Sequence, residues 1–545
     1  MKKITKIIIA IVIVILALLS IKIFAKDKQR SPMKNEVEIT VDFSLPEKPI
    51  SPYIFGINDR ASFEQVSPKT IRLGGNRLSA YNWENNKSNA GSDWKNQSDD
   101  YLLGNVRSKL KRKPGAAALN VAEDVKEHNV PYSLLTLQMV GYVANKKGIM
   151  TKENSLDGED WCKVVNRKNA PFSLKPDLTD GVVYTDEYLN YLGETIGKSD
   201  SKTGFKGYTL DNEPGLWHHT HSLIHKEEVR AKELIEKTID LAKTVKDFDS
   251  NADVFGPSLF GYSAYKSLGS DWNLINANNF YKYQWFIDYY LEQMAKAEKE
   301  DGRRLLDVLD LHYYTEAKGA CGKRKCDHFD NDDCIKARIN AVRSLYDADY
   351  KEKSWIVDTG AKFFPLLPKI KASIDKYYPG TKLAFTEYNF GGGTDISGAV
   401  TQADFLGLLA KNEVYFASIW AFDKAEYQFA AINMFTNYDE KGGYFADSYI
   451  ESTSSDDYRV SSFVGKNNQD GKTHIILTNK SIHEKTKISL DLGKKGYIIS
   501  EKYVLDKSGT KIKAEEPNAT NKKTKIIFEL EPMTVNHFVI EYSHE

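Results

Sequence analysis

The sequence predicts an α/β fold, a (β/α)8 TIM-like barrel joined to an all-β sandwich. Between residues 51 and 448, short apolar or β-branched runs alternate with longer helical stretches. From 449 to 545 the helical pattern stops, and only short β runs broken by Asn and Gly turns remain. Two of the barrel runs deliver a glutamate at their ends, Glu213 before a proline and Glu387 before a glycine-rich loop.

Residues 1–25 begin with Lys2, Lys3 and Lys6 and continue in an apolar run from Ile7 to Leu19. A basic start before a short apolar stretch is an export signal. The run is marginal for a span of roughly 20 residues, and no Ala-x-Ala cleavage pattern follows it. A cleaved signal peptide and a retained membrane anchor therefore both stay open. Either places the protein outside the cell or on its surface. Residues 26–35 are a charged tether, and within 36–50 the stretch Glu36–Phe43 alternates apolar and polar residues. That strand has no barrel role and is expected to join the sandwich.

Eight barrel strands are expected near Tyr53–Asn58, Thr70–Gly74, Tyr132–Gln138, Gly207–Asp211, Val254–Ser258, Val308–Tyr313, Lys382–Glu387 and Phe416–Phe422. Helical patterns such as Glu227–Val245, Gln284–Lys299 and Ile335–Leu345 lie between them. In the C-terminal region every tryptophan is missing, since all precede Lys424. That favours a structural buttress over a sugar-binding module.

Lys plus Arg equals Asp plus Glu, 75 against 75, so no net field draws the chain to nucleic acid. Aromatic residues make up 12%. Their flat apolar faces with polar handles suit sugar rings, and they equally suit a tyrosine-rich core.

The densest chemical signal is Asp211-Asn212-Glu213-Pro214, at the end of the fourth expected strand. Thr386-Glu387-Tyr388-Asn389 ends the seventh. Strand ends at the C-terminal mouth of such barrels carry the chemistry. Two carboxyls facing each other there suit glycoside hydrolysis: one attacks the anomeric carbon while the other protonates the leaving oxygen. Repulsion between them raises the pKa of the acid.

Here the chain resembles glycoside hydrolase family 44, the endoglucanase and xyloglucanase family. Asp211 to Pro214 with Leu216-Trp217-His218-His219-Thr220-His221 is similar to its acid/base segment. Other matching segments are Arg72 to Arg77 with Tyr81-Asn82-Trp83, Thr136 to Met139 with Gly141-Tyr142, Phe172 to Leu174 before Asp177, Asp310 to Tyr314, Lys353 to Trp355, and Thr386 to Asn389. The resemblance implies Glu213 as acid/base, Glu387 as nucleophile, retention of configuration and internal cleavage of β-1,4-glucan. Cellulose, xyloglucan and mixed-linkage glucan are the implied polysaccharide partners.

Asn212 falls where retaining barrels bind the sugar 2-hydroxyl. Arg72 is a candidate to hold Glu387 ionised, and Tyr313 to orient it. Trp83, Trp217, Trp355 and Trp420 are stacking candidates, and Tyr142, His218, His219 and His312 complete the substrate-binding set. The site calls for no metal and no cofactor. The resemblance leaves a structural calcium open, with no ligands assignable. A monomer is expected. Another retaining barrel hydrolase, on mannan or xylan, is the nearest alternative. A non-catalytic cell-surface polysaccharide-binding protein is another, and the presence of both glutamates counts against it.

The chain departs from the family between Gly319 and Cys334. Cys326, His328 and Cys334 lack a CxxC pair for zinc, and Asp327, Asp330, Asp332 and Asp333 lack EF-hand spacing. A solvated acidic loop with one local disulfide is expected. Cys162 stands apart, and the pairing among it, Cys321, Cys326 and Cys334 stays open.

Overall fold

The computed structural model describes residues 36–543 apart from 59, 320–330 and 422–423. Eight parallel strands close a barrel in chain order. They are β1 (Gly56–Ile57), β2 (Thr70–Leu73), β3 (Tyr132–Leu137), β4 (Gly207–Leu210), β5 (Asp253–Leu259), β6 (Val308–Tyr314), β7 (Lys382–Asn389) and β8 (Phe416–Ile419). Alternating residues face inward, as the two-residue period of a strand requires. Tyr132, Leu134, Phe255, Val308, Ala384 and Phe416 form an apolar floor inside the barrel. Their neighbours, such as Leu135, Leu309, Leu311 and Phe385, face the surrounding helices.

The alternation is interrupted where the chemistry sits. The β5–β6 register shifts between Gly256 and Leu259. β7 carries an extra residue against β6 just before Glu387, and against β8 between Phe385 and Tyr388. Such bulges re-aim side chains beside active sites. Long insertions after β2 and β3 build two small sheets, one from Ser88–Asn89, Gln97–Asp99 and Gly148–Ile149, the other from Tyr142–Ala144, Trp161–Val165 and Val182–Tyr184.

The sandwich has a five-stranded and a seven-stranded sheet. Glu36–Val41 is a strand of the five-stranded sheet, parallel to Thr486–Asp491 and antiparallel to Ser452–Ser454. Val37, Ile39, Ile475, Leu477, Ile488 and Phe538 fill the space between the sheets. The outer face of the seven-stranded sheet packs on the barrel through Phe463, Ile476, Val535 and Leu505. Helix Ile396–Lys411, which follows β7, is buried along almost its whole length between the two layers. Gly407 permits that approach, since a Cβ there would lie 2.2 Å from the Phe463 ring. Lys480 of the sandwich forms a buried ion pair with Asp404 of this helix, 3.3 Å apart.

Among the described residues no helix is long and apolar enough to cross a membrane. The basic-apolar leader, Cys321, Cys326, Asp327, His328 and Asp330 lie outside the described residues. Asp332 and Asp333 instead open helix Asp332–Ala341, and Asp332 bonds His483 of the sandwich at 2.7 Å. Cys162 is a free, buried thiol in Trp161–Val165.

A buried imidazole pair joins the layers. His474 Nδ1 lies 2.8 Å from His537 Nε2, and His537 Nδ1 2.8 Å from the Met434 carbonyl of the barrel. Burial pulls both imidazoles below their ordinary value of 6.5, His537 furthest, although Asp470 beside His474 opposes it there. The unfolded chain therefore takes up these protons at a higher pH than the folded one. Their contribution to stability is full above about pH 6.5 and is lost as pH falls. Urea unfolding at pH 7.5, 6 and 5 should show this loss, and His537→Gln should flatten the slope over that range.

Candidate active site

Glu213 sits just past β4 in a left-handed conformation, φ 46° and ψ 56°. Asp211 is left-handed too, at φ 63°. Such backbone costs a non-glycine residue about 1–3 kcal/mol and persists where its surroundings enforce it. Here they do. The buried Asp211 carboxylate accepts the N–H groups of Met139, Val140 and Asn212 at 2.5, 2.7 and 2.7 Å, and the Ser79 hydroxyl. The Glu213 N–H donates to the Ser258 carbonyl of β5 at 3.2 Å.

Glu387 projects from the bulge in β7. Arg72 Nη1 of β2 donates to its Oε1 at 2.7 Å, and the Tyr314 hydroxyl of β6 to its Oε2 at 2.8 Å. His312 Nδ1 lies 2.8 Å from Glu213 Oε1 and 3.4 Å from Glu387 Oε2. One oxygen of each carboxyl and the ring nitrogen all fall within 4.8 Å of one another. The two carboxyls thus meet across one imidazole.

The two carboxyls sit in different electrostatic surroundings. Burial pushes Glu213 up, and the Glu387 charge adds to it, against the bond from His312. Burial would raise Glu387 as well, but the charges of His312 and Arg72 and the bonds from Arg72 and Tyr314 outweigh it and hold it below its ordinary value. His312 itself is raised: the Glu387 charge and the Glu213 bond overcome its burial. Of all His, Cys, Asp and Glu groups among the described residues, only Glu213, His312 and Glu387 converge as a cation's ligands would. Arg72 already supplies positive charge there, which opposes a second cation.

Arg72 is fully buried and also donates through Nη2 to Asn212 Oδ1 at 2.8 Å and through Nη1 to Asn58 Oδ1 at 3.2 Å. Asn212 Nδ2 donates to Asn76 Oδ1 at 3.1 Å. His221 holds the Asn76 carbonyl through Nε2 at 2.8 Å. The amide of Asn212 is thus oriented from two sides.

The remaining expected residues divide. Trp420 lines a cleft of about 860 Å³ with Asn58, Leu73 and Tyr101, and an adjoining one of about 440 Å³ with Arg77 and Trp94. Gly75, at φ 90°, lets the indole lie against β2, since a Cβ there would meet Trp420 at 2.6 Å. Trp355 is 41% exposed, donates to Glu316 at 2.8 Å and lines a separate cavity of about 510 Å³. Tyr142 is half-buried at the start of its short strand. His218 and His219 lie ring to ring at 3.9 Å, with His219 exposed. His225 turns away to Glu233 and His221 to Asn76, so His218, His219, His221 and His225 do not share a focus.

Three expectations are corrected. Trp83 is fully buried and stacked on Tyr188 at 5.0 Å, so it is core, not a sugar platform. Trp217 is likewise fully buried on the inner side of its helical turn, beside His225. Tyr313 points outward onto Phe385 and Phe390, and Tyr314 holds Glu387 in its place. Tyr101 and Trp94, 68% and 62% exposed on the β2 insertion, were not among the expected residues. Their flat faces beside Trp420 were the available signal, but nothing in their irregular segment marks a rim.

The model of the family described as glycoside hydrolase family 44 matches residues 87–317. The chain is 40% identical over 516 residues to endoglucanase A of Paenibacillus lautus, covering 93% of this chain and 73% of that protein. It is 42% identical over 474 residues to the β-mannanase/endoglucanase A of Caldicellulosiruptor saccharolyticus, covering 84% of this chain and 35% of that protein. The solved structure of a Paenibacillus polymyxa family 44 xyloglucanase superposes with a TM-score of 0.89 at 42% identity, covering 93% of this chain and 99% of that one. Likeness of this extent, in sequence and in fold, leaves one conclusion: the chain belongs to glycoside hydrolase family 44 and is a hydrolase of O-glycosyl bonds.

Proposed function

We propose that the protein is a retaining endo-β-1,4-glucanase acting outside the cell, with Glu213 as acid/base and Glu387 as nucleophile. The observation that carries this reading is the unequal company of two carboxyls that share one imidazole: Arg72 and Tyr314 donate to Glu387, and His312 lies closest to Glu213. A raised Glu213 keeps the proton that the leaving oxygen needs. A lowered Glu387, held by Arg72 and Tyr314, is ionised for attack on the anomeric carbon. Once the glycosyl-enzyme forms, the charge of Glu387 is gone; Glu213, now ionised, takes a proton from water as the water oxygen attacks the anomeric carbon and Glu387 leaves as a carboxylate. Asn212 offers its amide to the 2-hydroxyl, where a bond strengthens in the transition state. The cleft at Trp420 runs beside Asn58, which accepts a bond from Arg72, and so offers a sugar platform next to the carboxyls. The basic-apolar leader supports export, either free or anchored.

A panel of carboxymethylcellulose, xyloglucan, lichenan, mannan and xylan, with product sizes, tests substrate and endo-action together. Glucans should be cut to mixed oligomers, and Glu387→Gln should abolish the cutting. Binding without release of reducing ends by the wild type would instead make this a polysaccharide-binding protein. Glu213→Ala should lose most activity and regain part of it with azide; failure of that rescue would count against the acid/base assignment.

The two neighbouring tyrosines separate contact from packing. Tyr314→Phe removes a donor from Glu387 and should lower kcat about 10²-fold, as loss of one positioned donor does. Tyr313→Phe should leave kcat near wild type. Steady-state kinetics on one glucan checks both.

A buried carboxyl outside the site gives the fold a second pH dependence. Glu84 is buried and pushed up to about 8, by burial first and then by the charges of Asp180 and Glu187, with Asp177 adding. A raised carboxyl weakens the fold as pH climbs from about 4.5 towards 8, because the unfolded chain ionises first. The melting temperature should therefore fall between pH 5 and pH 8, and Glu84→Gln should lessen the fall.

A further inference from the structure

Asp310 lies on β6, two residues before His312, and its side chain is fully buried above the apolar floor. It takes no part in the chemistry proposed above. Its Oδ2 accepts the Ser258 hydroxyl at 2.5 Å and its Oδ1 the Thr386 hydroxyl at 2.6 Å. Both donors are bulge residues on the strands flanking β6. On one side, Pro257 and Ser258 of β5 oppose the single residue Asp310, because Gly256 pairs with Leu309 and Leu259 with Leu311. On the other, Thr386 is the extra residue of β7, because Leu311 pairs with Phe385 and His312 with Glu387.

Each bulge residue holds one of the paired glutamates. Ser258 is left-handed, at φ 51°, and that twist presents its carbonyl to the Glu213 N–H. Thr386 precedes Glu387. Its inward hydroxyl makes two successive residues of β7 face the barrel interior, which a regular strand forbids. The Thr386 carbonyl is held in turn by the Ser418 hydroxyl at 2.6 Å and Asn58 Nδ2 at 2.9 Å.

We propose that Asp310 is a positioning residue that pins the β5 and β7 bulges together and so sets the separation and aim of Glu213 and Glu387. The proposal rests on the roles assigned to those two residues. A neutral amide could still accept one hydroxyl, but it cannot accept both as strongly, and its NH₂ group would face a hydroxyl that must turn round. One bulge is then released. Misplacement of a reacting group by about 1 Å costs about 10²-fold in rate.

The test uses the full chain and two substrates, a glucan and a cellobioside of dinitrophenol, whose leaving group needs no proton. Asp310→Asn should lower kcat on glucan about 10²-fold with KM near its wild-type value. Ser258→Ala frees the Glu213 side alone, so kcat/KM on glucan should fall while kcat/KM on the dinitrophenyl substrate, which reports formation of the glycosyl-enzyme, persists. Thr386→Val frees the Glu387 side, so both activities should fall together. These two variants decide the matter if Asp310→Asn does not fold. The proposal is overturned if folded Asp310→Asn keeps wild-type kcat, or if Ser258→Ala and Thr386→Val lower both substrates in the same ratio, as a general loosening would. Failure of the underlying roles looks different: Glu213→Ala would then lose kcat/KM on the dinitrophenyl substrate as fully as on glucan, whatever Asp310 does.

Discussion

A guanidinium with no access to solvent organises the mouth of this barrel. Arg72 rises from β2 above the apolar floor, and its charge must be met inside the protein. An unpaired buried charge would cost several kcal/mol. Glu387, Asn212 and Asn58 meet it from three other parts of the barrel, β7, the turn after β4 and the end of β1. The cost of burying one cation thus becomes the geometry of the site. Removing Arg72 would leave Glu387 facing Glu213 with only His312 between them.

The same arrangement explains how two glutamates a few ångströms apart acquire different chemistry. Glu387 lies on the bulged end of β7, 7% exposed, and receives donors from Arg72 and Tyr314. Glu213 stands on a turn, 13% exposed, with the shared imidazole as its one side-chain partner. Donors favour the ionised form and burial without donors the neutral one. The asymmetry is therefore built into which barrel element carries each residue.

Much of this is legible in the sequence, and the failures have causes. All eight strands were marked by β-branched and apolar runs, and the glutamates by their position at strand ends. The Asn-Glu-Pro turn announced Glu213. Tyr313 and Tyr314 could not be separated, because the bulges that decide which residue faces inward leave no local trace in composition. Trp83 and Trp217 belong to irregular or short helical segments, where no period tells the buried face from the open one. Arg72, Asn212 and His312 were readable as polar residues in apolar runs. Such a residue needs a partner, and the barrel interior is where it finds one.

The sandwich enters this account through one helix. Ile396–Lys411 follows the strand that carries Glu387, and its faces are buried against both the barrel and the seven-stranded sheet. Gly407 against Phe463 and the ion pair of Asp404 with Lys480 fix its depth. A packed interior transmits displacement instead of absorbing it. Any shift of the sheet would therefore move this helix, and with it the loop that leaves β7 just after Glu387. The absence of tryptophan after Lys424 fits the same view, in which the sandwich serves the site by holding a strand in place and leaves sugar to the barrel.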